Sequence, residues 1–226
     1  MQIKITKGTK RVNLRLKDAH TLLLSVPSYY TQSDCEQVLA RHSAWIERTS
    51  AALHERERTR TQELESKRGE ILYFGEWVSE EWVRQQLHTR GFSDRYGELE
   101  VFVKQHCALW AQKMGVCYES VSLSNARSFF GICTHDNHLR FARLLCFAPK
   151  DCIEYVIIHE LAHIRHKNHS QAFWAFVGEF CEHFRQSRAF LRTNAWLYKA
   201  LFSQCPPART ARTARTHRAK RAPKPL

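Results

Sequence analysis

The chain of 226 residues is long enough to bury one substantial hydrophobic core, and 13 Phe and 6 Trp supply large apolar side chains for it. Its formal net charge of +13 favours contact with polyanions. No apolar run has the length of a transmembrane helix, and the first residues lack the apolar stretch of a signal peptide. We therefore expect a cytoplasmic protein without a membrane partner.

The 8 cysteines are scattered, and none forms a C-x-x-C pair. In a chain of this size without an export signal, this distribution favours reduced, buried thiols. It argues against both a disulfide framework and a second metal site built from thiolates.

The N-terminal part is predicted to contain three strands followed by helix. Alternating apolar and polar residues, which are typical of strands, occur in residues 2–6, 11–16 and 21–26. Thr31 is a favourable N-cap, and a helix is predicted from there through Trp45. Residues 47–70 are rich in Glu and Arg, which predicts an exposed helix whose mixed charges face solvent.

The rest of the chain up to about residue 201 mixes helices with strands. A strand pair is predicted around Gly75, within residues 71–78. Further strands are predicted at residues 120–126 and 137–147, and helices at residues 80–90, 94–114, 150–167, 171–185 and 188–201. The pattern predicts an α+β fold in which a small mixed sheet packs on the 150–167 helix. We expect one domain over residues 1–205, with N-terminal strands and a helix in 1–48 and the functional core in 115–205.

The C-terminal segment, residues 206–226, differs in composition from the rest. It has no acidic or aromatic residue, and it repeats Ala-Arg-Thr three times from Ala208 to Thr216. Such a segment cannot bury a core, so we predict a disordered basic tail. Weak, non-specific contact with nucleic acid is the partner that its charge favours.

The most informative motif is H-E-x-x-H at residues 159–163. On the predicted helix, His159 and His163 lie on one face and can bind one metal ion together, while Glu160 lies about 100° round the helix, within reach of a water at that ion. Two imidazoles and an open position are typical of catalytic zinc, which lowers the pKa of a water molecule. The motif therefore predicts a zinc-dependent hydrolase with Glu160 as general base.

A catalytic zinc ion usually has three protein ligands, so a third is expected after the motif. His169 is favoured, because its spacing of six residues from His163 matches sites in which the chain turns back after the second histidine. Asn168 is the expected turn residue, since Asn tolerates left-handed dihedrals, and Ser170 would cap the next helix. The alternatives for the third ligand are His166 and, more weakly, Glu179.

These residues resemble the YgjP-like metallopeptidase family, which is similar to the zincin group that includes SprT-like proteins. The family's tyrosine and apolar run, H-E-L-x-H, N-H-S and F-W are all present within residues 155–177. Gly131 and Cys133 retain two positions of its upstream R-W-G-S-C segment, which reads F-F-G-I-C here, and residues 148–149 keep its A-P. The opening strands and the Trp45-Ile46 pair are similar as well.

The resemblance implies that His159, His163 and His169 bind Zn²⁺, that Glu160 is the general base, and that the core is zincin-like. Peptides are the leading substrate class that it implies. A nucleoside triphosphate pyrophosphatase, of the UTP type, that uses the same zinc site is the first alternative; the absence of a G-x-x-x-x-G-K-[ST] loop excludes a P-loop enzyme. A non-catalytic, basic, nucleic-acid-associated zinc protein is the second alternative. A purely structural site has no need of the Glu160 carboxylate.

Overall fold

A computed structural model of the chain describes residues 1–204. The predicted basic tail at 206–226 lies outside these residues. The chain divides into two compact units, Met1–Gly69 and a second unit that begins at Glu70.

The first unit begins with a three-stranded sheet made of β1 (Gln2–Lys7), β2 (Asn13–Asp18) and β3 (Thr21–Val26). The central strand is β3, which pairs in parallel with β1 and antiparallel with β2. Every second side chain of β3 is fully buried, so the predicted alternation reflects one face packed in the core and one turned outward.

Two helices complete this unit, α1 (Gln32–Arg41) and α2 (Ser43–Ser66). Thr31 is the N-cap as predicted: its hydroxyl accepts from the Asp34 amide at 3.2 Å, and the Asp34 carboxylate accepts from the Thr31 amide at 2.7 Å. The prediction of helix from Thr31 through Trp45 without a break is wrong, because two helices separate at His42. Each helix buries one apolar side chain, Cys35 on α1 and Ile46 on α2.

The second unit starts with the predicted hairpin, now seen as β4 (Glu70–Tyr73) and β5 (Glu76–Ser79). Its turn has left-handed dihedrals at Phe74 (φ 47°) and Gly75 (φ 94°). Two predicted helices follow as α3 (Glu80–Thr89) and α4 (Arg95–Met114), with Asp94 as the N-cap of α4.

The second three-stranded sheet positions the H-E-x-x-H helix. It consists of β6 (Ser120–Ser124), β7 (Gly131–Cys133) and β8 (His138–Ala142), with β8 in the middle, parallel to β6 and antiparallel to β7. The sequence did not predict β7, which is only three residues long. The predicted strand at 137–147 is wrong in its second half, because Arg143–Phe147 forms a 3-10 helix. Its run of four buried apolar side chains has no period that distinguishes a strand from a turn of helix.

Three helices end the described chain: α5 (Lys150–Arg165), α6 (Gln171–Phe180) and α7 (Phe184–Gln204). The predicted boundary between the last two, near residue 187, is wrong, because the chain leaves helical dihedrals at Cys181 and returns to helix at Phe184. α5 is the most buried of the three, with nine buried side chains. The α+β class is confirmed, and within residues 1–204 no helix has the length and apolar character needed to cross a membrane.

Candidate metal site

The structure brings the three predicted histidines together. His159 and His163 lie one turn apart on α5, and His169 lies in the connection to α6. One ring nitrogen from each is within 4.8 Å of the other two, and the Nε2 atoms of His159 and His169 are 3.0 Å apart. A cluster of three imidazole nitrogens at this separation fits one tetrahedral divalent ion that keeps its fourth position open.

Phe173 packs beneath all three imidazole rings. Its ring centroid is 4.9 Å from that of His159, 4.6 Å from His163 and 4.8 Å from His169. Trp174 stacks on His169, with centroids 5.5 Å apart. Phe173 is fully buried, and contact with the two aromatic rings restricts the orientation of the histidines.

A backbone hydrogen bond orients His163. Its Nδ1 lies 3.1 Å from the carbonyl oxygen of His166, so Nδ1 donates and Nε2 is left free to bind a metal. The His166 ring instead packs against Phe176, and neither His166 nor Glu179 belongs to the histidine cluster. The Nδ1 atom of His159 is buried and has no hydrogen-bond partner within residues 1–204.

The turn that carries His169 is not built as predicted. α5 ends at His166 in an extended conformation, and Asn168 is not left-handed, since among described non-glycine residues only Phe74 and Asn137 have positive φ. Lys167 instead donates to the Asn137 side chain at 2.8 Å, in the loop between β7 and β8. Ser170 caps α6 as predicted, accepting from the Phe173 amide.

Burial favours the neutral form of both histidines of α5. It lowers the pKa of His159 to about 3, with the neighbouring His163 and His169 acting in the same direction. Burial also lowers the pKa of His163. Neutral imidazole is the form that binds a metal ion, so protons compete little for these two side chains near neutral pH.

Glu160 is buried beside β7. Burial raises the pKa of its carboxyl to about 8, and a backbone hydrogen bond from Cys133 opposes this shift. A Cβ atom at Gly131 would lie 2.6 Å from Cγ and 2.7 Å from Oε1 of Glu160, closer than atoms can approach. Glycine at 131 therefore makes the space that the Glu160 side chain occupies.

We expect the Glu160→Gln substitution to stabilise the metal-free protein. The folded-state pKa of about 8 lies above the ordinary value of 4.5, so the folded state holds a proton that the unfolded state releases between these pH values. This carboxyl therefore lowers stability progressively as pH rises from 4.5 to 8, and the neutral amide removes that loss. Thermal unfolding of the metal-free proteins should show a larger increase in Tm at pH 8 than at pH 5. An equal change at both values would contradict this account of Glu160.

β7 is an edge strand of its sheet. The amide of Ala142 donates to the Phe130 carbonyl, and that of Thr134 to the His138 carbonyl. The even-numbered residues therefore bond to β8, and the backbone groups of Gly131 and Cys133 point away from it. Within residues 1–204, no strand pairs with this outer edge, which lies beside Glu160.

A cavity of about 400 Å³ opens between Glu160 and α7. Its lining includes His159 and Glu160, together with four residues whose role the sequence did not predict: Phe130, Tyr155, Arg188 and Arg192. Burial raises the pKa of the Tyr155 hydroxyl to about 12, so this group remains a neutral hydrogen-bond donor. The spacing of the arginines at 185, 188 and 192 was the one indication in the sequence, because it places all three on one face of a helix.

Comparison with known proteins agrees with this geometry. A family model described as the YgjP-like metallopeptidase domain matches residues 10–100 and 95–194, which is more than half of the chain. No curated protein and no solved structure gives a significant match. The matched ranges include the whole histidine cluster, Glu160 and Gly131. The chain therefore belongs to the YgjP-like metallopeptidase domain family.

Proposed function

We propose that the protein is a zinc-dependent peptidase in which His159, His163 and His169 bind the metal and Glu160 is the general base. The observation that carries this proposal is that three imidazoles converge on one point beside a buried carboxyl. His159 and Glu160 also line the same cavity. The donor set fits zinc, because three histidine nitrogens are typical of catalytic zinc, and residues 1–204 add no fourth ligand to the cluster. A purely structural site gives no reason to bury Glu160 there.

The metal and the side chains have different roles in the proposed hydrolysis. Zinc, when bound, polarises the scissile carbonyl and lowers the pKa of a water molecule. Glu160 accepts a proton from that water and delivers it to the leaving amine. A carboxyl whose pKa is tuned towards neutrality by burial suits both transfers, since it neither holds nor releases the proton too strongly. We further propose that the Tyr155 hydroxyl, in the wall of the same cavity, donates to the oxygen on which negative charge develops.

The edge of β7 favours a peptide as substrate. An extended peptide can add to a free strand edge through its own backbone groups. The outward groups of Gly131 and the carbonyl of Cys133 lie on the strand that contacts α5 next to Glu160. A peptide held there would place a carbonyl near the histidine cluster. We therefore propose a zincin-like core, in which one sheet edge and one helix together form the cleft.

Hydrolysis of a nucleoside triphosphate is the second candidate. The observation in its favour is the pair Arg188 and Arg192 in the cavity wall, because guanidinium groups bind phosphates with two parallel hydrogen bonds.

The test is a screen of the purified, zinc-loaded protein against a peptide library and against nucleoside triphosphates, each with and without a chelator. We expect chelator-sensitive cleavage of peptides. Chelator-sensitive release of pyrophosphate without peptide cleavage would move the assignment to the nucleotide enzyme. Cleavage that persists in the chelator after complete metal removal would exclude both.

We expect about one zinc ion per chain, and its retention should depend on His169 and not on His166. His169→Ala removes one of the three converging nitrogens, whereas the His166 side chain lies against Phe176. Metal analysis after dialysis should show zinc in the wild type and in His166→Ala, and little in His169→Ala. Zinc retained by His169→Ala but lost from His166→Ala would show that the third ligand is wrongly assigned.

A further inference from the structure

We propose that Arg188 and Arg192 form an oxyanion-binding subsite that selects substrates with a negatively charged group near the scissile bond. The preference in hydrolysis rests on the proposed function, whereas binding of an oxyanion to the two arginines does not. The group recognised is a carboxylate or a phosphate, the two oxyanions whose planar or forked oxygens match guanidinium geometry.

Both arginines lie on α7, and both are exposed. They line the 400 Å³ cavity together with His159 and Glu160. They also line a neighbouring cavity of about 420 Å³, whose wall includes Trp174 and Arg185. The two cavities thus share the Arg188 and Arg192 side chains, and a substrate that reaches His159 through the first cavity passes these charges.

Arg188 is held in a defined position relative to the histidine cluster. Its guanidinium carbon lies 4.8 Å from the Trp174 ring centroid. Trp174 in turn stacks on His169 and on Phe184, at centroid separations of 5.5 Å in both cases. A guanidinium against an aromatic face keeps its N–H edge free to donate. The stack therefore fixes a hydrogen-bond donor next to the candidate metal site.

The charge of this cationic face is not neutralised within the protein. Across residues 1–204, no ion pair joins Arg185, Arg188 or Arg192 to an acidic side chain. Glu160 is the only acid lining either cavity in that part of the chain, and it is buried. Other arginines of this unit do have acidic partners, as in the pair of Arg90 and Glu98 at 2.7 Å. Arg188 and Arg192 therefore present charge that is available to an anionic group of a substrate.

The first arm of the test uses terminally blocked peptides that differ only in Glu or Gln at one position, scanned across the scissile bond. At the best position the wild-type enzyme should cleave the Glu peptide with a kcat/KM about 10- to 100-fold higher, as expected for hydrogen bonds to a charged group. The double variant Arg188→Gln/Arg192→Gln should lose this preference and still cleave the Gln peptide. Lys199→Gln, which removes one charge from α7 away from both cavities, is the matched control and should keep the preference.

The second arm measures binding of inorganic triphosphate to zinc-loaded Glu160→Gln protein, with zinc content checked after titration. If triphosphate binding depends on the two arginines and the peptides show no Glu preference, the subsite recognises phosphate. If the peptides show the Glu preference and triphosphate binding does not depend on the arginines, the subsite recognises carboxylate. If wild-type enzyme cleaves no peptide but triphosphate binding falls at least about tenfold in the double variant, the peptidase assignment fails and the subsite stands. If the double variant changes neither peptide preference nor triphosphate affinity, the subsite does not exist.

Discussion

The Glu160→Gln protein should retain its zinc and lose at least about 100-fold in kcat, because a neutral amide cannot take a proton from water. The amide has nearly the shape of the carboxyl, so it fits the space beside Gly131 without displacing the histidines. The substitution thus removes the base and leaves the three imidazole nitrogens in place. Metal analysis and steady-state kinetics on the best substrate from the screen measure both quantities.

Two results would contradict this role of Glu160. Full activity in a zinc-loaded Glu160→Gln protein would show that another group takes the proton. Loss of zinc together with activity would show that Glu160 supports the metal site rather than the proton transfer. His166→Ala is a useful companion variant, because it changes a side chain beside the site that contributes neither base nor clustered nitrogen.

The Gly131→Ala substitution should reduce activity by about 100-fold while the protein stays folded and loaded with zinc. A methyl group at 131 cannot occupy its position 2.6 Å from Cγ of Glu160, so the glutamate side chain must move. A displacement of about 1 Å of a catalytic group costs roughly 100-fold in rate. The backbone of Gly131 has no positive φ, so alanine introduces no conformational strain of its own.

Gly178→Ala is the matched control for Gly131→Ala. Gly178 lies within α6, where a new Cβ would meet Phe184 at an ordinary 3.5 Å. We expect unchanged kinetics and, because alanine favours helix over glycine by about 0.5–1 kcal/mol, equal or higher thermal stability. Unfolding or zinc loss in Gly131→Ala would mean that the contact supports the fold, and normal kinetics would mean that Glu160 tolerates displacement.

The parts of the candidate site that lie on one continuous helix could be predicted from the sequence. His159, Glu160 and His163 lie on a single continuous helix, so spacing alone indicates which side chains share a face. The Thr31 and Ser170 caps were also predictable, because each depends on a hydrogen bond over three residues. The N-terminal strands were recognised from alternation, which persists where one face of a sheet is buried.

Contacts between distant segments were not visible in the sequence. β7 has three residues, too few to show a period, and its importance comes from its position against α5. The retention of Gly131 is explained by the volume of Glu160, a residue 29 positions later. Arg188 lines the cavity because α7 packs against α5, a contact between two separate helices. The turn at Lys167 is held by Asn137, a contact that no local pattern encodes.

The shortness of β7 also bears on solubility. An unpaired strand edge invites association with other chains, and proteins often limit that risk by keeping edge strands short. A strand of three residues has few outward backbone groups. These groups can pair with one short extended segment, but they are a poor template for an aggregating sheet. Lengthening this strand would therefore be expected to increase self-association before it improved capture of any other chain.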